Sequence, residues 1–70
     1  MSVETYIDTA DELSRRILLL IPKHPEILTM ESPWDLFKIK EFSCKDLAPT
    51  MFQAGWALAK AKKDYSNDQD

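Results

Sequence analysis

The side chains able to do chemistry in this sequence are few, and their types and spacing decide what is open to them. Cys44 is the one thiol and His24 the one imidazole. A nucleophile and its base must share a hydrogen bond and face donors for an oxyanion. Nothing in the spacing brings this pair together, because His24 sits in the rigid stretch Pro22-Lys23-His24-Pro25. Cys44, beside Lys45 at what reads as a helix start, is in a setting that can lower a thiol pKa. The plainer expectation is a small half-buried residue. Zinc wants about four nitrogen or sulfur ligands, and the chain offers two. No metal site and no cofactor are expected.

Charged clusters are the next candidates. Glu4, Asp8, Asp11 and Glu12 form an acidic stripe. Carboxylates do general acid-base work only where burial or crowding raises one pKa. These fall on the polar side of a helix and match the positive end of its dipole. Lys60, Lys62 and Lys63, with Lys38, Lys40 and Lys45 upstream, could build a basic patch for nucleic acid. Dipole matching at a helix C-terminus would also place three lysines there. With no Gly-rich phosphate loop and no nucleophile-base pair, the chain reads as a non-enzyme.

The elements that must carry these residues are helical. Residues 3–21 place Val3, Tyr6, Ile7, Ala10, Leu13, Ile17, Leu20 and Ile21 at three- and four-residue steps, one face of a helix. Ser2 caps its start and Pro22 stops it. Asp11 with Arg15 and Glu12 with Arg16 are spaced for i,i+4 pairs. Pro25 can open a short turn through Glu26, Ile27 and Leu28. Ser32-Pro33-Trp34-Asp35 is a helix-start signal, and a helix from Pro33 to about Glu41 would bury Trp34, Phe37 and Ile39. The competing reading pairs Phe37-Lys38-Ile39-Lys40 as a strand with Ile27 to Met30. Ser43-Cys44-Lys45-Asp46 repeats the Ser-x-x-acid pattern and announces the last helix, with Pro49 near its start. From there Met51, Phe52, Gly55, Trp56, Leu58 and Ala59 form a broad apolar face reaching about Tyr65.

The expected fold is all-α: a small bundle of three to four helices, with a long first and a long last helix and a short middle segment. Residues 1–65 form one domain and residues 66–70 a disordered polar tail. At 70 residues, 44% hydrophobic and 30% charged, the chain is ordinary for a folded domain. It is also small enough that self-association would help stabilise it. The longest apolar run, Ile17 to Ile21, falls far short of the about 20 residues a spanning helix needs. Acids stand near the N-terminus where a signal peptide would be basic, so no membrane association and a cytoplasmic location are expected.

Two regions point to binding. Five consecutive large apolar residues, Ile17-Leu18-Leu19-Leu20-Ile21, cover every side of a helix, so either the connector or a partner chain must cover Leu18 and Leu19. Gly55 stands among Ala54, Ala57, Ala59 and Ala61, a small-residue surface beside Trp56 that fits internal packing or a dimer seam. The leading reading is a helical protein-interaction or regulatory module with a protein partner or a second copy of itself. It would self-associate through the apolar end of the first helix, with Leu18, Leu19, Gly55 and Trp56 as contacts.

The alternative is a DNA-binding regulator. Phe42-Ser43-Cys44-Lys45-Asp46-Leu47-Ala48 resembles the first helix of helix-turn-helix motifs, and Ala57-Leu58 falls where the second helix would place core residues. The resemblance covers about a third of the chain and implies phosphate contacts from Lys60, Lys62 and Lys63. It departs at Pro49, inside the first helix of that alignment, and at the turn, which lacks a glycine. The usual base-reading arginine is also missing from this region.

Overall fold

The structure, a computed structural model, describes residues 2–69. Two helices dominate it: α1, Val3–Leu20, and α2, Met51–Gln69. Between them lie two 3-10 turns, Pro25–Thr29 and Pro33–Lys38. No strand occurs among the described residues. The fold is all-α, as expected, with the bundle's middle members reduced to single short turns.

Helix α1 begins as its sequence dictates. The Ser2 hydroxyl accepts the Thr5 N–H at 3.1 Å, satisfying one of the donors that a helix start leaves free. Ala10, Leu13, Ser14 and Ile17 are buried along one face. Ser14 enters the core without cost to its hydroxyl, which donates to the Asp11 carbonyl at 2.7 Å. Past Leu20, Pro22 cannot continue the ladder. The Leu20 carbonyl closes the last turn, accepting N–H groups from Lys23 and His24. Of the two expected i,i+4 pairs, Glu12–Arg16 forms at 3.5 Å, while Arg15 turns to Glu12 at 3.2 Å.

The two helices pack with their starts side by side. Gln53, in the first turn of α2, donates from its side-chain amide to the Tyr6 carbonyl at 2.9 Å. The helices therefore run in the same direction, and residues 21–50 must return along the whole of α1. That is why the connector contributes to the core. Ile27, Leu36 and Ile39 join Leu13, Ile17, Ile21, Ala57, Leu58 and Ala61 in one buried cluster. Ala54, Ala57 and Ala61 present short side chains inward, which lets the helices approach closely.

Three sequence expectations for the connector and the last helix are corrected. The helix from Pro33 to Glu41 is a 3-10 turn capped by Ser32, whose hydroxyl accepts the Trp34 N–H at 3.2 Å. Leu36 and Ile39 reach the core, while Trp34 and Phe37 are exposed. Residues three apart align in the 3-10 geometry, so it suits a segment whose anchors are Leu36 and Ile39. The Phe37–Lys40 strand does not form.

The segment 43–48 does not begin the last helix. It is a single turn in which the Cys44 carbonyl accepts the N–H groups of Leu47 and Ala48 at 3.0 Å each. Ala48 closes it in the left-handed region, at φ 45°. Pro49 disfavours helix at the residue before it, so the chain restarts at Thr50. There the Thr50 hydroxyl accepts the Gln53 N–H at 3.1 Å, and the Gln53 side-chain oxygen accepts the Thr50 N–H at 2.7 Å. This reciprocal capping box sets the true start of α2. At the other end α2 continues past Tyr65 to Gln69, so residues 66–69 of the expected polar tail are helical, and Asp70 lies outside the described residues.

Candidate interaction surface

The sequence-derived candidates are scattered by the fold. Cys44 lies half-buried in the 43–48 turn, and burial pushes its thiol up, with the Arg16 charge opposing this and Asp46 adding to it. That is the opposite of an activated nucleophile. His24 is occupied elsewhere: its Nδ1 lies 3.1 Å from Glu26 and its Nε2 2.8 Å from Glu41. Both ring nitrogens face carboxylates, and neither is turned toward Cys44. No group of three His, Cys, Asp or Glu side chains among the described residues is placed to hold a metal ion.

The lysines also separate. Lys60 pairs with Asp64 at 3.3 Å and lies 5.9 Å from the centre of the Trp56 ring, within cation-π range. Lys62 donates to the Met30 carbonyl on the connector. Lys63 is exposed. The turn at 43–48 does not build the first helix of a helix-turn-helix, and α2 is one continuous helix.

The apolar end of α1 is covered more than the run Ile17 to Ile21 suggested. Ile17 and Ile21 are fully buried, and Leu18 and Leu20 pack against the core at its margin. Leu19 alone is 79% exposed. It borders a shallow hollow of about 320 Å³ shared with Arg16, Lys23, Glu41 and Phe42. A single exposed leucine among charged neighbours is ordinary surface. Gly55 is half-exposed, and a Cβ added there would meet nothing within 4 Å. The alanines of its stretch divide: Ala54, Ala57 and Ala61 face inward, while Gly55 and Ala59 do not.

A larger and more apolar groove lies at the opposite end, where the two helices start. Tyr6, Ile7 and Ala10 of α1 form one wall, Phe52, Gln53 and Trp56 of α2 the other, around about 470 Å³. Each wall has a reason in the sequence. On α1, Val3, Ile7 and Ala10 prolong the stripe that buries Leu13 and Ile17 further along. Ala10 is still buried, but Ile7 and Val3 are exposed, with no connector residue among those described reaching over them. On α2, Phe52 and Trp56 stand four residues apart, one turn above the other, on a side turned away from Ala57 and Ala61. Gln53, only 3% exposed, bridges the walls through Tyr6 and Thr50 and fixes their spacing.

Four residues of this groove, Tyr6, Ile7, Ala10 and Gln53, were not among the sequence-derived contacts; Trp56 was, with Phe52 beside it on the same apolar face. The missed signal is on α2. The helix carries an alanine face and an aromatic face, and only one of them can point inward.

Fold and surface together define a small all-α protein built on a parallel helix pair, with an open apolar groove at the shared N-terminal end. No helix among the described residues is long and apolar enough to cross a membrane. No family model, curated protein or solved structure matches this chain.

Proposed function

We propose that this chain is a non-enzymatic protein-interaction module whose working surface is the groove between the starts of α1 and α2. The observation that carries the reading is the α1 stripe. The face that forms the core at Leu13 and Ile17 runs on through Ile7 to Val3 without cover, opposite an 87% exposed Phe52 and a 47% exposed Trp56. Apolar surface of this kind, contiguous and rimmed by charge, marks a place where another protein surface docks. A groove between two helices suits an apolar helical face as occupant. The binding surface thus shifts from Leu18 and Leu19 to the other end of the helix, while Trp56 stays in it. Half-buried, unpaired Cys44 suits a reducing compartment, and we propose the cytoplasm.

The test is site-specific photo-crosslinking in cells. A photoreactive phenylalanine analogue replaces Phe52, and in a second variant Glu26, on the connector. Protein adducts are expected from position 52 and not from position 26. No protein adduct from position 52 would overturn the proposal.

A further inference from the structure

We infer that the occupant of the groove is the same groove of a second copy, with the α1 wall of each protomer seated on the α2 wall of its partner. The inference rests on the interaction-module reading above and adds the partner and its orientation.

Area is the first argument. Phe52, Trp56 and Tyr6 are 87, 47 and 39% exposed. With roughly 200 Å² to each aromatic side chain, they leave about 350 Å² in the open. Val3 and Ile7 enlarge this patch toward the upper end of what monomers expose, the size range in which patches are often functional. A standard interface hides about 800 Å² per partner. The apolar patch supplies more than half of that, and its charged borders can supply the remainder.

Those borders are the second argument, because they carry opposite signs. At 100° per residue, Glu4 and Asp11 fall beside Ile7 on the outer edge of the α1 wall, with Asp8 further round. On α2, Lys63 falls between Phe52 and Trp56, while Lys60, on the inner side of Trp56, is already paired with Asp64 at 3.3 Å. An occupant of uniform charge would be repelled by one edge. This chain carries acids beside one wall of the matching groove and Lys63 on the other. Two-fold symmetry allows two face-to-face arrangements, since every contact must occur twice. Seating α1 on the partner's α1 sets acids against acids. Seating α1 on the partner's α2 sets acids against the exposed Lys63, and lays Val3 and Ile7 on the aromatic wall. Charge selects the second. Exposed ion pairs add little affinity, so the apolar walls hold the dimer and the charged edges orient it.

The test is the mass of the purified full chain by light scattering across a concentration series. Wild type should approach twice the 8.1 kDa of one chain as concentration rises. Phe52→Ser should stay at the mass of one chain with an unchanged helical circular dichroism spectrum. Should that variant fold poorly, Ile7→Glu serves the same purpose. Asp11→Lys and Lys63→Glu should each raise the dissociation constant about tenfold, because symmetry turns one substitution into two altered pairs. The double variant should recover most of the loss.

A wild type that stays monomeric throughout overturns the second-copy inference. If position 52 still captures a different protein in cells, the module reading survives that failure. A dimer indifferent to Phe52→Ser and Ile7→Glu overturns the site. A dimer that loses nothing on the charge exchanges overturns the orientation.

Discussion

Gln53 makes three hydrogen bonds where the helices meet at the groove: two with the cap residue Thr50, one in each direction, and one to the Tyr6 carbonyl across the helix pair. Replacing it by leucine keeps much of the volume and leaves the Thr50 N–H without its acceptor. Losing a helix-capping bond of this sort costs about 0.5–2 kcal/mol. Gln53→Leu should lose that much in urea unfolding, and a loss below a few tenths would contradict the network's role. Gly55→Ala should act in the opposite sense. The added methyl meets open space, and alanine gains about 1 kcal/mol over glycine inside a helix. For a domain of this size that raises the melting temperature by about 4–8 °C. Of these two residues, sequence reading singled out only the glycine. Gln53 looks like any polar residue on a helix, and only the position of Tyr6 shows what it does.

At the scale of elements, the turn at 43–48 is held to α1 by a single arginine. Arg16 grips both Asp46 carboxylate oxygens, at 2.9 and 2.8 Å, and donates to the Ser43 carbonyl at 3.1 Å. The hydrogen bonds from Arg16 hold the Asp46 carboxyl down to about 2, against its usual 3.8. The folded value lies below the unfolded one. This contact therefore stabilises the protein fully above about pH 4 and is lost as pH falls through about 2. An acid titration of stability should show a loss in that window in wild type and a smaller one in Asp46→Asn. Identical profiles would mean the clasp contributes nothing. The same turn explains why the last helix starts later than its Ser-x-x-acid signal indicates. Asp46 is engaged by Arg16 from a distant part of the chain, which local pattern does not encode. Thr50 and Gln53 do form a legible capping box. It is hidden in the sequence only because the earlier, unused signal precedes it.

For the whole molecule, stability rests on a small core with little redundancy. Leu13, Ile17, Ile21, Ile27 and Leu36 are its fully buried large side chains. Ile17→Ala should cost about 2–5 kcal/mol, comparable to the total stability of a domain this small. It should be largely unfolded at 37 °C by circular dichroism; a cooperative melt near that of wild type would contradict this core. The helical class and both long helices were readable from spacing: Leu13 and Ile17 on α1, and on α2 the set Met51, Phe52, Gly55, Trp56, Leu58 and Ala59, of which only Leu58 is buried. The relative direction of the helices was not, because it depends on how far the connector travels before it turns. Sequence pattern therefore recognised that α1 has more apolar surface than the chain can cover, yet assigned the excess to Leu18 and Leu19. In the fold, the connector covers the C-terminal end of α1 and leaves the N-terminal end bare.

The most direct measurement of that claim is a dilution series followed residue by residue with amide nuclear magnetic resonance. Concentration-dependent shifts should gather on residues 3–11 and 52–63 and leave Leu19 and the connector still. Shifts centred on Leu19 would contradict that placement of the bare surface, and none at any concentration would overturn the second copy as its occupant.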